Sequence, residues 1–275
     1  MKLLVLGGNG MAGHMLVGYF RAAGRHSVFY TTRDETDDSG LLFDAEDPSM
    51  VEALVRTVRP DVIVNAIGIL NEAAKRNPVA AYAVNGLLPH RLASAADSVG
   101  ARLIHISTDC VFRGDRGGYA ETDAPDGITV YARTKALGEV NASRHLTVRT
   151  SIVGPEVRSH CIGLLHWFLR QQGNVRGYRQ VLWNGVTTLE LAKAIEHWID
   201  CPVNGLVHLV APERISKLEL LRLFQRSFDK NDVEIVPDDE IAVDRTLAVT
   251  RSDLDYSVPP YEEMIRELAQ WMRSG

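Results

Sequence analysis

The chain has 275 residues, enough for one large domain or a core domain with a smaller lobe, and its 45% hydrophobic and 24% charged residues are ordinary for a globular protein. The formal charge is −5 with a pI near 6.0, and no Lys/Arg block stands out, so we expect no nucleic-acid partner. The longest apolar run near the start, residues 3–6, is too short for a signal-peptide core or a membrane span, so we expect a cytoplasmic protein with no membrane partner.

The first half of the chain alternates short apolar runs with longer helical patterns. These patterns predict strands at residues 2–6, 27–32, 61–65, 102–107 and 146–149, an extended piece at 41–43, and helices at 11–23, 48–58, 78–99 and 129–142. Repeated strand–helix alternation with continuously apolar strands favours a parallel sheet that is covered on both faces. The predicted fold class is therefore α/β, with a Rossmann-type, doubly wound parallel sheet over residues 1–150.

The regular alternation of strand and helix patterns ends after Thr150. The patterns there predict helices at residues 162–171, 189–199, 216–228 and 261–272, and a short strand at 233–236 before a turn at 237–239. Ser216 with Glu219 three residues later predicts a helix-starting capping box. We predict that residues 151–275 form a smaller substrate-binding lobe built onto the sheet, with the 187–199 helix packing back on the Rossmann core.

The cysteines Cys110, Cys161 and Cys201 are odd in number and widely spaced. This arrangement predicts neither a disulfide framework nor a zinc site, and we expect no metal. Free thiols fit a reducing cytosol.

The glycine-rich segment at residues 7–13 follows the first predicted strand and opens the first predicted helix. Glycines at these spacings allow a tight turn, let the backbone approach a pyrophosphate, and let the helix pack close to the strand. The helix N-terminus then offers free N–H groups to the anion. We predict a dinucleotide site with contacts from Gly7, Gly10, Met11 and Gly13, and the alternative is a purely structural turn.

The end of the second strand bears on which dinucleotide is bound. Thr32 and Arg33 offer hydroxyls and a cation that suit a 2′-phosphate, so NADPH is favoured, while Asp34 keeps NADH open. Asp44, after the third strand, is predicted to meet the adenine amine, with a plain loop carboxylate as the alternative.

Tyr131 and Lys135 are four residues apart, which on a helix places both side chains on one face. A free tyrosine has a pKa of about 10, and a nearby cation stabilises its phenolate. The Thr108 hydroxyl is a candidate to hold the same substrate oxygen from the other side. Such a spacing alone is usually a solvated pair, but the glycine loop and Thr108 favour a proton-delivery site.

These segments together resemble the extended short-chain dehydrogenase/reductase family, which has a glycine loop, a segment like residues 65–68 after its fourth strand, and a Tyr-x-x-x-Lys pair. Within that family, residues 107–114, 119–123 and 131–139 are similar to the dTDP-4-dehydrorhamnose reductase group, and residues 149–151 are similar to that group's segment after the sixth strand. The resemblance covers residues 1–155 well, continues more loosely over 184–192, and fades beyond residue 205.

The resemblance implies a reaction: hydride from the nicotinamide reduces a ketone, typically C4 of a nucleotide-linked 4-keto-6-deoxy sugar. It implies that Thr108 hydrogen-bonds the carbonyl and that Tyr131 donates the proton. Lys135 would hold the nicotinamide ribose and lower the Tyr131 pKa. The implied partner is a nucleotide diphosphate sugar, and a homodimer is compatible with the family.

The resemblance also implies supporting contacts. Residues 66–68 (Ala66, Ile67 and Gly68) would line the cofactor site. Asn85 matches the family's helix asparagine, which supports the active-site lysine through backbone and water contacts, and it is placed on the substrate side. A polar residue on the long helix is the alternative for Asn85. Cys110 and Val111, beside Thr108, are expected to contact the substrate.

The chain departs from the group at three positions near the sugar. The group usually has aromatic residues where Cys110 and Ile152 stand, and an acidic residue where Arg113 stands. These departures leave the identity of the sugar open. Cys110 also stands where dehydratases of the family carry a glutamate acid, which argues against dehydration, and its thiol as a nucleophile is an alternative.

Two other functions stay open at the level of the sequence. One is a non-catalytic NADP-binding regulatory subunit, because some relatives keep the Tyr/Lys pair in that role. The other is a sugar-nucleotide 4-epimerase, although such enzymes usually hold NAD, which a 2′-phosphate-binding Arg33 disfavours.

The second half of the chain is expected to hold the nucleotide diphosphate. Arg176, together with Arg158 and Arg179, is a candidate to pair with phosphate oxygens. Trp183 is a candidate to stack on a base or sugar, and His160 to hydrogen-bond a hydroxyl. The plain alternatives are a solvated arginine, a packing tryptophan and a satisfied polar histidine.

Overall fold

The computed structural model describes residues 1–142, 144–157 and 163–274. Its strands are β1 (Lys2–Leu6), β2 (Ser27–Thr32), β3 (Leu41–Leu42), β4 (Val62–Asn65), β5 (Arg102–Ile106), β6 (Leu146–Arg149), β7 (Ile152–Val153), β8 (Gly173–Tyr178), β9 (Val181–Trp183), β10 (Val186–Thr187), β11 (Gly205–His208), β12 (Ile215–Ser216), β13 (Val233–Asp238) and β14 (Val243–Asp244). Its α-helices are α1 (Met11–Ala23), α2 (Pro48–Val58), α3 (Asn71–Arg76), α4 (Pro78–Ala81), α5 (Leu88–Val99), α6 (Val130–Leu137), α7 (Leu164–Leu169), α8 (Thr188–Asp200), α9 (Lys217–Ser227) and α10 (Tyr261–Ser274). None of these helices is both long and apolar enough to cross a membrane.

The main sheet has seven parallel strands in the order β11-β6-β5-β4-β1-β2-β3. Side chains of β1 alternate between the two faces, because successive residues of a strand point to opposite sides. Leu3 and Val5 pack in the core that contains α1 and α8, whereas Leu4 and Leu6 pack in the core that contains α2 and α5. Both faces are covered, which confirms the predicted Rossmann-type α/β class.

The strand order reverses at β1, which lies between β4 on one side and β2 on the other. In open α/β sheets a crevice forms at such a reversal, outside the carboxyl ends of the strands. The segments that follow β1, β2, β4 and β5 therefore meet at one edge of the sheet.

The second half of the chain contributes to the same sheet. β11 pairs in parallel with β6, and α8 lies against α1, where Tyr19 donates to Glu196 at 2.6 Å and Arg25 pairs with Asp200 at 2.7 Å. The strand β11 had no counterpart among the predicted elements. The division at residue 150 stays a prediction, but one strand of the main sheet comes after it.

Smaller sheets carry the remaining strands. β8 pairs in parallel with β13, which runs through Pro237 to Asp238 where the sequence predicted a turn. β9 lies between β12 and β14, and β7 pairs with β10. The capping box at α9 is confirmed: Ser216 Oγ accepts from Glu219 N at 3.1 Å, and Glu219 Oε2 accepts from Ser216 N at 2.7 Å.

Two predicted helices differ from the structure. The predicted helix at residues 78–99 is divided by a π-helical segment, Tyr82–Leu87, between α4 and α5. The predicted helix at 129–142 ends at Leu137. Gly138, which follows it, packs so close to Asn85 that a Cβ there would lie 2.0 Å from the Asn85 carbonyl oxygen. After that turn, Glu139 points inward and pairs with Arg149 at 2.7 Å.

Candidate active site

A cavity of about 470 Å³ lies at the edge of the sheet where the strand order reverses. It is lined by segments that follow β1, β2, β4, β5 and β6, and by the first turns of α1 and α6. The predicted site residues that line it are Gly7, Gly10, Met11, Thr32, Arg33, Asp44, Ala66, Ile67, Gly68, Thr108, Cys110, Tyr131 and Lys135. The structure therefore brings the predicted cofactor and catalytic segments into one cleft.

The glycine loop forms a tight turn between β1 and α1. Gly7 has a left-handed φ of +81°, and its carbonyl oxygen accepts from Gly10 N at 2.9 Å. Gly13 does not line the cleft, but a Cβ there would stand 2.0 Å from the Gly7 oxygen, so glycine is what lets α1 approach the loop. No side chain caps the N-terminus of α1 among the described residues. Its first N–H groups therefore face the cleft as a ready site for a phosphate anion.

The end of the cleft that the sequence predicts to hold the adenosine is built by the loops after β2 and β3. Thr32 Oγ1 accepts from Asn9 Nδ2 at 2.9 Å and from Asp34 N at 3.0 Å, which ties the glycine loop to the end of β2. Arg33 and Asp44 both line the cavity, and Asp44 Oδ1 accepts from Glu46 N at 2.9 Å. This arrangement suits a dinucleotide, with Arg33 at the end of the cleft where the sequence predicts the adenosine ribose.

Tyr131 lies in the first turn of α6. Thr129 is the N-cap of this helix, and its hydroxyl accepts from Ala132 N at 3.0 Å. Tyr131 is 8% exposed, and burial, together with the neighbouring Cys110, raises its pKa, while a hydrogen bond from Thr108 opposes the rise. The expected lowering of the Tyr131 pKa by Lys135 is not found in this structure. The Lys135 amine instead donates to the Ile106 carbonyl oxygen, and the groups that act on the Tyr131 pKa besides burial are Cys110, Thr108 and Asp109.

Lys135 is 4% exposed and lies one turn after Tyr131. Its Nζ donates to the Ile106 carbonyl oxygen at 2.7 Å and lies 3.4 Å from His105 Nε2. Burial lowers the pKa of Lys135 to about 8, against the opposing charge of Glu139. An amine with such a pKa can change its protonation state near neutral pH.

Thr108 caps the short 3₁₀ turn Asp109–Val111 at the end of β5. Its Oγ1 accepts from Cys110 N and donates to Asp109 Oδ1, both at 3.1 Å. Burial, with the negative Asp109 beside it, raises the pKa of the Cys110 thiol to about 12. A thiol that stays protonated is a poor nucleophile, so the thiol alternative loses its support.

Several predicted substrate residues do not line the cavity. Val111 is fully buried with Phe112 and Tyr119. Asn85 is fully buried in the π-helical segment, where it bonds Ile69 N at 2.8 Å, Ile69 O at 2.9 Å and Thr134 Oγ1 at 3.1 Å. Asn85 thus supports the loop that follows β4 rather than offering its amide to the cleft.

Two of the three predicted phosphate-binding arginines, Arg176 and Arg179, are paired with acidic residues. Arg176 on β8 is 64% exposed and contacts Glu240 at 2.6 Å and Asp238 at 3.3 Å, because β8 pairs with β13. Arg179 pairs with Asp239 at 2.9 Å.

Trp183 is buried and packs on Tyr261, and its Nε1 donates to Ser151 Oγ at 2.9 Å. It touches the cleft only through Ser151, which lines it. His160 and Arg158 lie outside the described residues.

Other residues that line the cavity were missed or only partly foreseen. Thr150 and Ser151 follow β6, so the rule that ligands meet strand ends offered a signal for them. Ile152 lines the same cavity as Cys110, so both departures from the group's usual aromatic residues lie at the cleft. Glu156 also lines it, and its Oε2 accepts from Gly163 N at 2.6 Å. No local pattern marks that contact.

The sheet order and the cleft at its reversal define a Rossmann-type α/β protein with a cleft at the carboxyl ends of its strands. A family model described as "RmlD substrate binding domain" matches residues 1–254, and the chain belongs to that family. The resemblance to the dTDP-4-dehydrorhamnose reductase group is thereby confirmed.

Curated relatives show a similarity to the same reductase group. The chain is 38% identical over 146 residues to a dTDP-4-dehydrorhamnose reductase of Mycobacterium tuberculosis, covering 50% of this chain and 44% of that protein. It is 36% identical over 159 residues to the Escherichia coli reductase, covering 56% and 52%. The chain thus spans about half the length of the curated relatives that it matches.

Solved structures extend the likeness over the whole fold. A hypothetical dTDP-4-dehydrorhamnose reductase from Sulfolobus tokodaii matches with a TM-score of 0.80 and 25% identity, covering 94% of this chain and 98% of that one. The Bacillus anthracis reductase in complex with NADP matches with a TM-score of 0.82 and 21% identity, covering 97% and 98%. At the latter identity the likeness shows the fold alone.

Proposed function

We propose that this protein is an NADPH-dependent reductase that converts the 4-keto group of a nucleotide-linked deoxysugar to an alcohol. The observation that carries the proposal is that Thr108, Tyr131 and Lys135 line the same cavity as the glycine loop. A carbonyl in this cleft lies between a hydroxyl, a phenol and a dinucleotide cradle. The reductases named among the relatives support the substrate class.

The residues of the chain supply the proton side of the reaction. When bound, the nicotinamide supplies a hydride to the ketone carbon. Tyr131 gives its phenolic proton to the carbonyl oxygen, and the raised pKa keeps that proton in place until the oxygen becomes basic. Thr108 Oγ1, within hydrogen-bond reach of Asp109 and Cys110 N, orients the same oxygen.

The cofactor side rests on the first turn of α1 and on Arg33. The uncapped helix N-terminus would hold the pyrophosphate, and Arg33 would pair with the 2′-phosphate of the adenosine ribose, which suits a guanidinium. The NADP complex of the Bacillus anthracis reductase supports the same preference. NADH is the weaker cofactor under this proposal.

The proposed substrate is a nucleotide diphosphate sugar, and the proposed compartment is the cytoplasm. Free thiols at Cys110 and Cys201 support a reducing compartment. Cys110 and Ile152 stand where larger aromatics are usual, so the sugar subsite differs from that of the group.

Purified protein with NADPH and a panel of nucleotide-linked 4-keto deoxysugars tests the proposal by the loss of NADPH absorbance. Turnover on at least one sugar is the expected result. Tight NADPH binding with no turnover on any sugar would instead favour the regulatory role. Interconversion of 4-epimeric alcohols without net NADPH loss would favour the epimerase.

A further inference from the structure

His105 on β5 is a fully buried imidazole between two polar side chains. Its Nδ1 lies 3.1 Å from Asn65 Nδ2, and its Nε2 lies 3.4 Å from Lys135 Nζ. Both neighbours belong to segments that build the cleft: Asn65 ends β4, and Lys135 lies on α6. The ring therefore links the end of one strand to the proposed active-site amine.

The orientation of Asn65 determines which ring nitrogen carries the proton. Asn65 Oδ1 accepts from Ile67 N at 3.1 Å, so the other end of the amide, Nδ2, must be the one that faces His105. Flipping the amide would bring two N–H donors toward each other at Ile67. Because Asn65 Nδ2 donates, His105 Nδ1 accepts, and we assign the proton of the neutral ring to Nε2.

The neutral form of His105 follows from its surroundings. Burial lowers its pKa well below the ordinary value, and the charges of Lys135 and of His90 on α5 act in the same direction. The Nε2–H consequently points at Lys135 Nζ, which also lies on the Ile106 carbonyl. An N–H group opposite an ammonium is unfavourable, whereas a neutral amine accepts from it.

We propose that His105 is a positioning residue for Lys135: its Nε2–H disfavours the ammonium form on the Ile106 carbonyl and so favours movement of that amine into the cleft. The titratable groups that act on the Lys135 amine among the described residues are His105 from β5 and Glu139 from its own part of the chain. Glu139 favours the ammonium form of Lys135. The Nε2–H of His105 acts in the opposite direction and favours the neutral amine. The amine would regain its charge on the ribose hydroxyls of the dinucleotide.

The inference deepens the proposed function and rests on it only for the role of Lys135 in the cleft. The contact between His105 and Lys135 is tested on the protein alone, without nucleotide. A negative result there is therefore distinguishable from a protein that reduces no sugar. The first measurement is the ¹⁵N spectrum of the His105 ring in the unmodified protein, assigned with the His105→Gln variant. Protonation at Nε2 is expected, and protonation at Nδ1 would overturn the proposal.

The second measurement follows the Lys135 side chain by ¹⁵N NMR through pH, with its resonance assigned from the Lys135→Arg variant. In His105→Gln the amide oxygen can turn toward Nζ and accept from the ammonium, so the Lys135 midpoint should rise by roughly one pH unit, a tenfold change in proton affinity. The matched control is His145→Gln, another fully buried histidine, which bonds Leu103 N and lies next to Asp97. It should leave the midpoint in place.

An unchanged or lower Lys135 midpoint in folded His105→Gln would refute the proposal, as would an equal rise in the His145→Gln control. Circular dichroism and a thermal melt establish that each variant folds. If His105→Gln does not fold, the ring tautomer of the unmodified protein still decides the matter. In that case the His105 resonance is assigned by its contact with Asn65.

Discussion

At the residue scale, Tyr131 and Lys135 share a helix face but point at different partners. Tyr131 faces Thr108 and Cys110, while Lys135 Nζ lies on the Ile106 carbonyl. Burial acts on them in opposite senses, because it raises the pKa of a neutral acid and lowers that of a cationic one. The phenol therefore keeps its proton near neutral pH, whereas the Lys135 amine can gain or lose one.

Replacing Tyr131 with Phe removes the proposed proton donor and leaves the ring packing almost unchanged. We expect kcat/KM to fall by about 10² to 10⁴, the usual worth of general acid catalysis. NADPH affinity, measured by fluorescence titration, should stay within about threefold, since the phenol hydroxyl is a small part of the cofactor contact. Retention of substantial turnover would show that another group delivers the proton.

Replacing Arg33 with Ala tests the cofactor preference. A charge-assisted hydrogen bond to phosphate is worth about 1.5–3 kcal/mol, so NADPH should bind roughly 10- to 100-fold more weakly. NADH lacks the 2′-phosphate and should lose far less. Dissociation constants for both nucleotides, measured on both proteins, make the comparison, and equal losses would contradict the role of Arg33.

Part of the site could be predicted residue by residue, and part could not. Gly7, Arg33, Thr108 and Tyr131 lie directly after strands or in the first turn of a helix, and parallel strands bring such positions to one edge. Arg176 could not be placed this way. Its partners are Asp238 at the end of β13 and Glu240 just after it, more than sixty residues away, and that pairing has no local signature.

At the element scale, the contact between α1 and the glycine loop is the tightest feature of the cofactor cradle. Gly13→Ala would put a Cβ 2.0 Å from the Gly7 oxygen, which is backbone and cannot move aside cheaply. We expect a loss of about 1–3 kcal/mol in the free energy of unfolding, measured with urea, and a clear loss of NADPH affinity.

Gly18→Ala is the matched control, because Gly18 lies on the same helix and its added Cβ would meet only Trp271 at 3.7 Å. That variant should be neutral or more stable by about 0.5–1 kcal/mol, since alanine favours a helix over glycine. The same loss of nucleotide affinity in both variants would mean that the close approach at Gly13 has no special role.

Helix and strand positions were predictable where the pattern is local, and less so where packing decides. The bounds of α1, α2 and β2 follow from apolar periodicity with glycine and proline at their ends. The early end of α6 at Leu137 has no such local signal, and Gly138, which follows it, packs against the Asn85 carbonyl some fifty residues earlier in the chain. β11 is a four-residue edge strand whose identity comes from pairing with β6.

At the scale of the whole molecule, buried neutral histidines tie stability to pH. Burial lowers the pKa of His26, His105, His145 and His208. In the unfolded chain these rings take up protons below about pH 6.5, so the unfolded state binds more protons than the folded one. The contribution of these rings to the free energy of unfolding is therefore fully present above that pH and is lost as the pH drops toward 5.

Urea unfolding at several pH values checks this expectation. Between pH 7.5 and 5.5 we expect a loss of roughly 1–3 kcal/mol in the free energy of unfolding. A free energy that stays level or rises over that range would show that the rings are protonated in the folded protein.

We propose that NADPH bound in the cleft delivers a hydride to a sugar ketone while Tyr131 supplies the proton. The most direct measurement uses NADPH with deuterium at the transferred position of C4 and a nucleotide-linked 4-keto deoxysugar that is turned over. We predict one deuterium at C4 of the sugar product, seen by NMR, and formation of that product about 10² to 10⁴ times more slowly with Tyr131→Phe. Product without deuterium at C4, or product formed at an equal rate by the variant, would contradict this mechanism.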